Sequence, residues 1–121
     1  MAKSVHNDVL DAMLDEIATA TIMTACSAEP TTRTEAVTTY ALADVTMAGG
    51  DYTNADGDSS GRKVTVAQKT GVTIDTTGTA THVALCDGVD LLYVTTCTSQ
   101  ALTALNTMTF NSWKVEVADP T

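Results

Sequence analysis

Thr81-His82-Val83-Ala84-Leu85-Cys86 and Leu91-Leu92-Tyr93-Val94-Thr95-Thr96-Cys97 flank Asp87-Gly88-Val89-Asp90. Two runs rich in β-branched and aliphatic residues, parted by a short segment containing Asp-Gly, specify a β-hairpin. The same grammar recurs outward from it. Upstream, Val72-Thr73-Ile74-Asp75 follows a Thr70-Gly71 turn, and Arg62-Lys63-Val64-Thr65-Val66-Ala67 puts Val64 and Val66 on one side. Tyr40 to Met47 alternates up to a stop at Gly49-Gly50-Asp51, and Ile22-Met23-Thr24-Ala25-Cys26 reads as a short first strand. Downstream, Trp113-Lys114-Val115-Glu116-Val117 alternates apolar with charged before Asp119-Pro120 stops it. Threonine fills 24 of the 121 positions. Its alternation with Val, Leu and Ile from Tyr40 onward predicts antiparallel strands with one buried and one wet face. The expected fold is mainly β: an antiparallel sandwich, jelly-roll-like, of about seven or more strands.

One helix precedes this body. Val5, Val9, Leu10, Met13, Leu14 and Ile17 recur at spacings of three and four, with Ser4 or Asn7 able to cap. Asp8 and Asp11 suit the N-terminal dipole, whereas Asp15 and Glu16 oppose it, so the helix needs packing partners. Its wide apolar stripe fits its own sheet or a neighbouring subunit. Residues 1–121 are read as a single domain, with the helix in 1–20 and the sandwich body in 22–118. Ser27 to Thr32, with Pro30, is a turn or loop, and Asp51 to Gly61 an exposed hairpin tip or long loop.

Composition narrows the function. Net charge is -9, with six basic residues and one adjacent basic pair, Arg62-Lys63. Phosphate binding needs clustered Lys and Arg, so no nucleic-acid partner is expected. No run of about 18 apolar residues is present, so no membrane span is expected. Met1 to Asp8 holds polar residues and acids where a secretory signal needs an apolar block. Cys26, Cys86 and Cys97 form an odd set without close pairing, read as reduced, mostly buried thiols serving as small core hydrophobes.

Candidate sites are sparse. Asp51 to Asp58 places oxygen side chains around Gly57, but an EF-hand needs an acid where Tyr52 stands and a Glu where Lys63 stands. A solvated loop is the reading. His82 lies mid-strand and His6 on the helix, with no nucleophile or second imidazole at a useful spacing. Asp75, Asp87 and Asp90 would serve glycoside chemistry only if two converged across a cleft. Trp113, Tyr40, Tyr52, Tyr93 and Phe110 are scattered and strand-like, hence core or interface rather than a sugar platform. The expectation is no catalytic, cofactor-binding or metal-binding residue, no cofactor and no enzyme.

The order Ala80-Thr81-His82-Val83-Ala84-Leu85-Cys86-Asp87, Leu91-Leu92-Tyr93, Gln100-Ala101-Leu102-Thr103, Thr107-Met108-Thr109-Phe110 and Trp113 to Val117 resembles a group of small virion proteins of tailed bacteriophages. The Ser27-Ala28-Glu29-Pro30 turn, the Tyr40 to Met47 strand, the Gly50 to Gly61 segment and the opening Val5 to Asp11 fit the same order. The chain departs from the group at Ala104-Leu105-Asn106, where glycine-rich turn residues are usual. The resemblance implies a capsid decoration or cement protein on the outer head surface, assembled in the host bacterial cytoplasm. It also implies the major capsid protein as partner and homo-oligomer contacts. The alternatives are a tail or neck component, or a carbohydrate- or receptor-binding module.

Overall fold

The computed structural model describes residues 5–118. Its elements are α1 (Asn7–Ile17), β1 (Ile22–Cys26), β2 (Ala41–Thr46), β3 (Tyr52–Asp56), β4 (Arg62–Val66), β5 (Lys69–Thr73), β6 (Gly78–Cys86), β7 (Leu91–Leu102), β8 (Thr107–Phe110) and β9 (Trp113–Val117). A π-helical turn spans Glu35–Thr39 and a 3-10 turn Gly49–Asp51. The hairpin forms as its residues require. The Asp87 carboxylate accepts from the N–H groups of Val89 at 2.7 Å and Asp90 at 2.6 Å, and β6 pairs antiparallel with β7.

All strand pairs are antiparallel. The first sheet runs β2-β1-β6-β7 and the second β3-β4-β9. The β5-β8 ribbon extends the first sheet through the Ala43–Ile74 bridge and the Leu42 carbonyl, which accepts from Asp75 and Thr76. The fold is therefore mainly β and sandwich-like with one N-terminal helix, as expected. Met23, Ala25 and Leu85 from the first sheet meet Val66 from the second, along with Val72, Ile74, Leu102 and Phe110. The outer face of the second sheet carries Thr53, Lys63, Thr65, Lys114 and Glu116, the alternation foreseen.

Only part of the helical stripe is used. Leu10 and Leu14 are buried, and Leu14 packs with Val64 and Val115, so α1 covers the β4 end of the sandwich. Burying a leucine contributes about 1.5–3 kcal/mol, which offsets the unfavourable acids of the last turn. Arg62 pins the helix further: Nε donates to Asp11 at 2.8 Å and a terminal guanidinium nitrogen to Asp56 at 2.8 Å. Val9 and Met13 stay 57% and 54% exposed.

Several expectations are corrected. The helix occupies Asn7–Ile17 within 1–20, and His6 is its N-cap, its Nδ1 accepting from the Asp8 N–H at 3.1 Å. Asn7 is instead the first helical residue. Ser4 and the Asp119-Pro120 stop lie outside the described residues. Asp51 to Gly61 is a hairpin arm and tip rather than a long loop, with the tip confined to residues 57–61. Tyr52 and Asn54 register with Val66 and Val64, so Tyr52–Asp56 is an edge strand that tolerates polar residues. Thr70-Gly71 is no turn, because β5 runs through it; Gly71 (φ 65°) sits at a register shift between Lys69 and Val72, where a left-handed residue fits a bulge.

β1 precedes the threonine alternation that begins at Tyr40, and neither of its faces is wet. Residues 33–40 fold back across the first sheet, and Ala36, Val37 and Tyr40 cover Cys26, Ala84 and Cys86. Thr24 is fully buried there, its hydroxyl 3.3 Å from the Cys26 thiol.

Candidate functional site

Several of the groups that the sequence singles out are held in structural work. Asp56 and Asp58, which a cation loop would need, are engaged by cations of the protein itself. Asp56 pairs with Arg62, and Asp58 with Lys63 at 2.8 Å and with Lys114. The loop is therefore ion-paired rather than merely solvated. Among the described residues no group of three metal-ligating side chains converges. His82 Nδ1 lies 2.8 Å from the Thr81 hydroxyl, on β6, and His6 caps α1.

Asp87 is a turn residue. Hydrogen bonds from the Asp90 and Val89 N–H groups hold its carboxyl below the usual carboxylate range. Its carbonyl accepts from Arg33 Nε at 2.7 Å, which ties the π-turn segment to the hairpin. Asp90 closes the same turn, its carbonyl accepting from the Asp87 N–H. Asp75 lies beyond β5, where its N–H donates to Leu42. Partial burial and, behind it, the charge of Asp75 raise the Asp44 carboxyl. None of these acids lines the grooves beside β7 and β8.

Cys26 and Cys86 are buried, and burial raises both thiols, which keeps them protonated. Cys97 departs from the core reading: it is exposed on β7. Tyr93 and Trp113 stack with centroids 5.9 Å apart and join two apolar clusters.

What the structure does bring together is a region that the site-by-site reading passed over. From Leu91 to Trp113 the chain carries no charged side chain. That run contains β7, the β7–β8 turn and β8. β7 is much longer than the Leu91 to Cys97 segment expected; it continues to Leu102 and is an edge, hydrogen-bonded to β6 alone among the described strands. Its residues Thr96 to Ala101 are all exposed. Ala80 pairs with Gln100 but His82 with Thr96, so Cys97, Thr98 and Ser99 bulge opposite Thr81.

A groove of about 460 Å³ lies between this part of β7 and the Met108 to Lys114 segment. Its walls are threonines, Gln100, Asn111, Ser112 and apolar side chains, with Lys114 as the one charged group and neither acid nor imidazole. The Trp113 indole N–H at this wall is buried and donates to no acceptor among the described residues. At the turn, Leu105 adopts φ 75° with 88% of its surface exposed. Its N–H donates to Ile74 at 2.9 Å, and the Ala104 N–H donates to the Thr77 hydroxyl at 2.9 Å. An exposed leucine stands where a left-handed turn favours glycine. The signal that could have found this region is the absence of charge over so long a stretch of a chain at -9.

Among the described residues no helix is long and apolar enough to cross a membrane. Comparisons with protein-family models, curated proteins and solved structures return no match to this chain.

Proposed function

We propose that this chain is a non-enzymatic structural protein of a tailed-bacteriophage virion, a capsid decoration or cement protein that bridges and stabilises capsomers on the outer head surface. The observation that carries the reading is the contrast between an acidic body and one long neutral strand edge with an exposed leucine at its turn. A protein that holds a shell together needs unpaired edges and contact surfaces rather than converging reactive groups. The likeness of the hairpin and its flanking strands to small phage virion proteins supplies the identity of the shell. Net charge of -9 suits the outside of a DNA-filled head, because packaged DNA repels it, and keeps free copies soluble.

In this account the major capsid protein is the partner and the protein acts as a homo-oligomer, with no nucleic-acid, membrane or cofactor role. Assembly takes place in the host bacterial cytoplasm. Cryo-microscopy of the phage particles tests it: density fitting this fold over capsomer junctions is expected. Density confined to the tail or neck would replace the head assignment with the tail reading. A glycan-binding role requires an open aromatic platform; Phe110 and Trp113 reach the wall of the β7 groove, while Tyr93 stacks on Trp113 and both join the apolar clusters.

A further inference from the structure

We propose that two copies of this chain associate by antiparallel pairing of the free edge of β7, between Thr95 and Ala101. Three observations lead there. Among the described residues the outer backbone edge here has no strand partner, and the side chains of Thr96 to Ala101 are exposed. Of the usual protections of an edge strand — charged side chains, proline, a covering segment, a bulge — β7 has the bulge alone. Charge then selects the occupant.

A second copy brings another -9, so a homotypic contact forms where neither surface is acidic. The Leu91 to Trp113 run meets that condition. The other exposed large apolar side chains among the described residues do not: Val89 stands in the turn between Asp87 and Asp90, and Val9 and Met13 share α1 with the exposed Asp8, Asp15 and Glu16, which would face their own copies. The outer edge of β3 ends in Asp56 and lies against Asp15, which accepts from Asn54 at 2.9 Å. β9 alternates Lys114 and Glu116. A cationic partner would prefer those acidic surfaces and leave β7 uncovered.

Edge pairing over so short a strand buries less than the roughly 1,600 Å² of a standard interface, so the dimer is a weak one. Added salt strengthens it, because the repulsion to be screened is between two acidic bodies. The inference names the surface behind the homo-oligomer part of the proposed function. Its test uses the purified chain alone, so its failure and a failure of the virion assignment are told apart.

The experiment is sedimentation equilibrium at tens to hundreds of micromolar, in a Cys97→Ser background that removes oxidative cross-links. Thr98→Glu and Thr98→Lys are made separately, with circular dichroism as the check that each folds. Like charges facing each other across a two-fold axis weaken the dimer by about tenfold or more in either variant. An equimolar mixture of the two variants recovers association, since opposite charges now face. A monomeric parent at these concentrations would overturn the proposal. So would a dimer indifferent to both substitutions, or a mixture no tighter than its components.

Discussion

Leu105→Gly is the perturbation that separates a role in folding from a role in contact. A leucine in the left-handed region costs about 1–2 kcal/mol. Glycine removes that strain but loses about 0.5–1 kcal/mol more backbone entropy on folding. The side chain is 88% exposed, so what it buries is worth only a few tenths of the ~1.5–3 kcal/mol of a fully buried leucine. The balance is a gain of about 0.5 kcal/mol, or a rise of roughly 1–4 °C in Tm. The backbone bonds of the turn to Ile74 and Thr77 do not involve the side chain and persist. Urea and thermal unfolding followed by circular dichroism measure the difference. If the proposed virion role holds, particle binding by the same variant falls, because the exposed apolar tip is gone. Destabilisation by more than about 1 kcal/mol would refute the reasoning, since it would mean that the side chain packs within the fold.

Other outcomes follow from the same packing. Leu14→Ala empties the contact between α1 and the Val64–Val115 face and should cost about 2–5 kcal/mol in urea titrations, with fast hydrogen exchange in α1. Gly61→Ala, at φ 70°, sets a methyl group 1.9 Å from the Val117 carbonyl oxygen; a loss of at least ~2 kcal/mol is expected, with faster exchange in β4 and β9. Tyr52 donates its hydroxyl to Ala20 at 2.9 Å, and burial, with the Asp51 charge behind it, pushes its pKa up to about 12. The folded state therefore holds this proton more tightly than the unfolded chain. Its stabilising effect is complete below the ordinary value near 10 and is lost as pH rises toward 12. Unfolding midpoints from pH 9 upward should fall across that window in the parent and less in Tyr52→Phe.

The strands were legible where period and turn chemistry agreed. Val64/Val66 and the Asp87–Asp90 turn are both local signals, and both elements form where those residues stand. What escaped depends on distant parts of the chain. Tyr52–Asp56 looks like loop in composition, yet pairing with Arg62–Val66 and the inward Tyr52 make it a strand. Thr24 looks like a wet-face threonine until residues 33–40 cross over it, a long-range event with no period of its own. The reach of β7 past Cys97 was hidden by its polar, exposed second half, which alternates in no way that burial would impose. The candidate surface was missed for a related reason: motif reading looks for reactive side chains, and this region is defined by what its side chains lack.

The most direct test of the account is quantitative mass spectrometry of purified particles of the tailed phage that the proposed function requires as the source of the chain, with heads and tails separated. The account predicts this polypeptide in the head fraction, in copy numbers commensurate with the capsomers. Its absence from both fractions, while present in infected cells, would contradict a structural role in the virion.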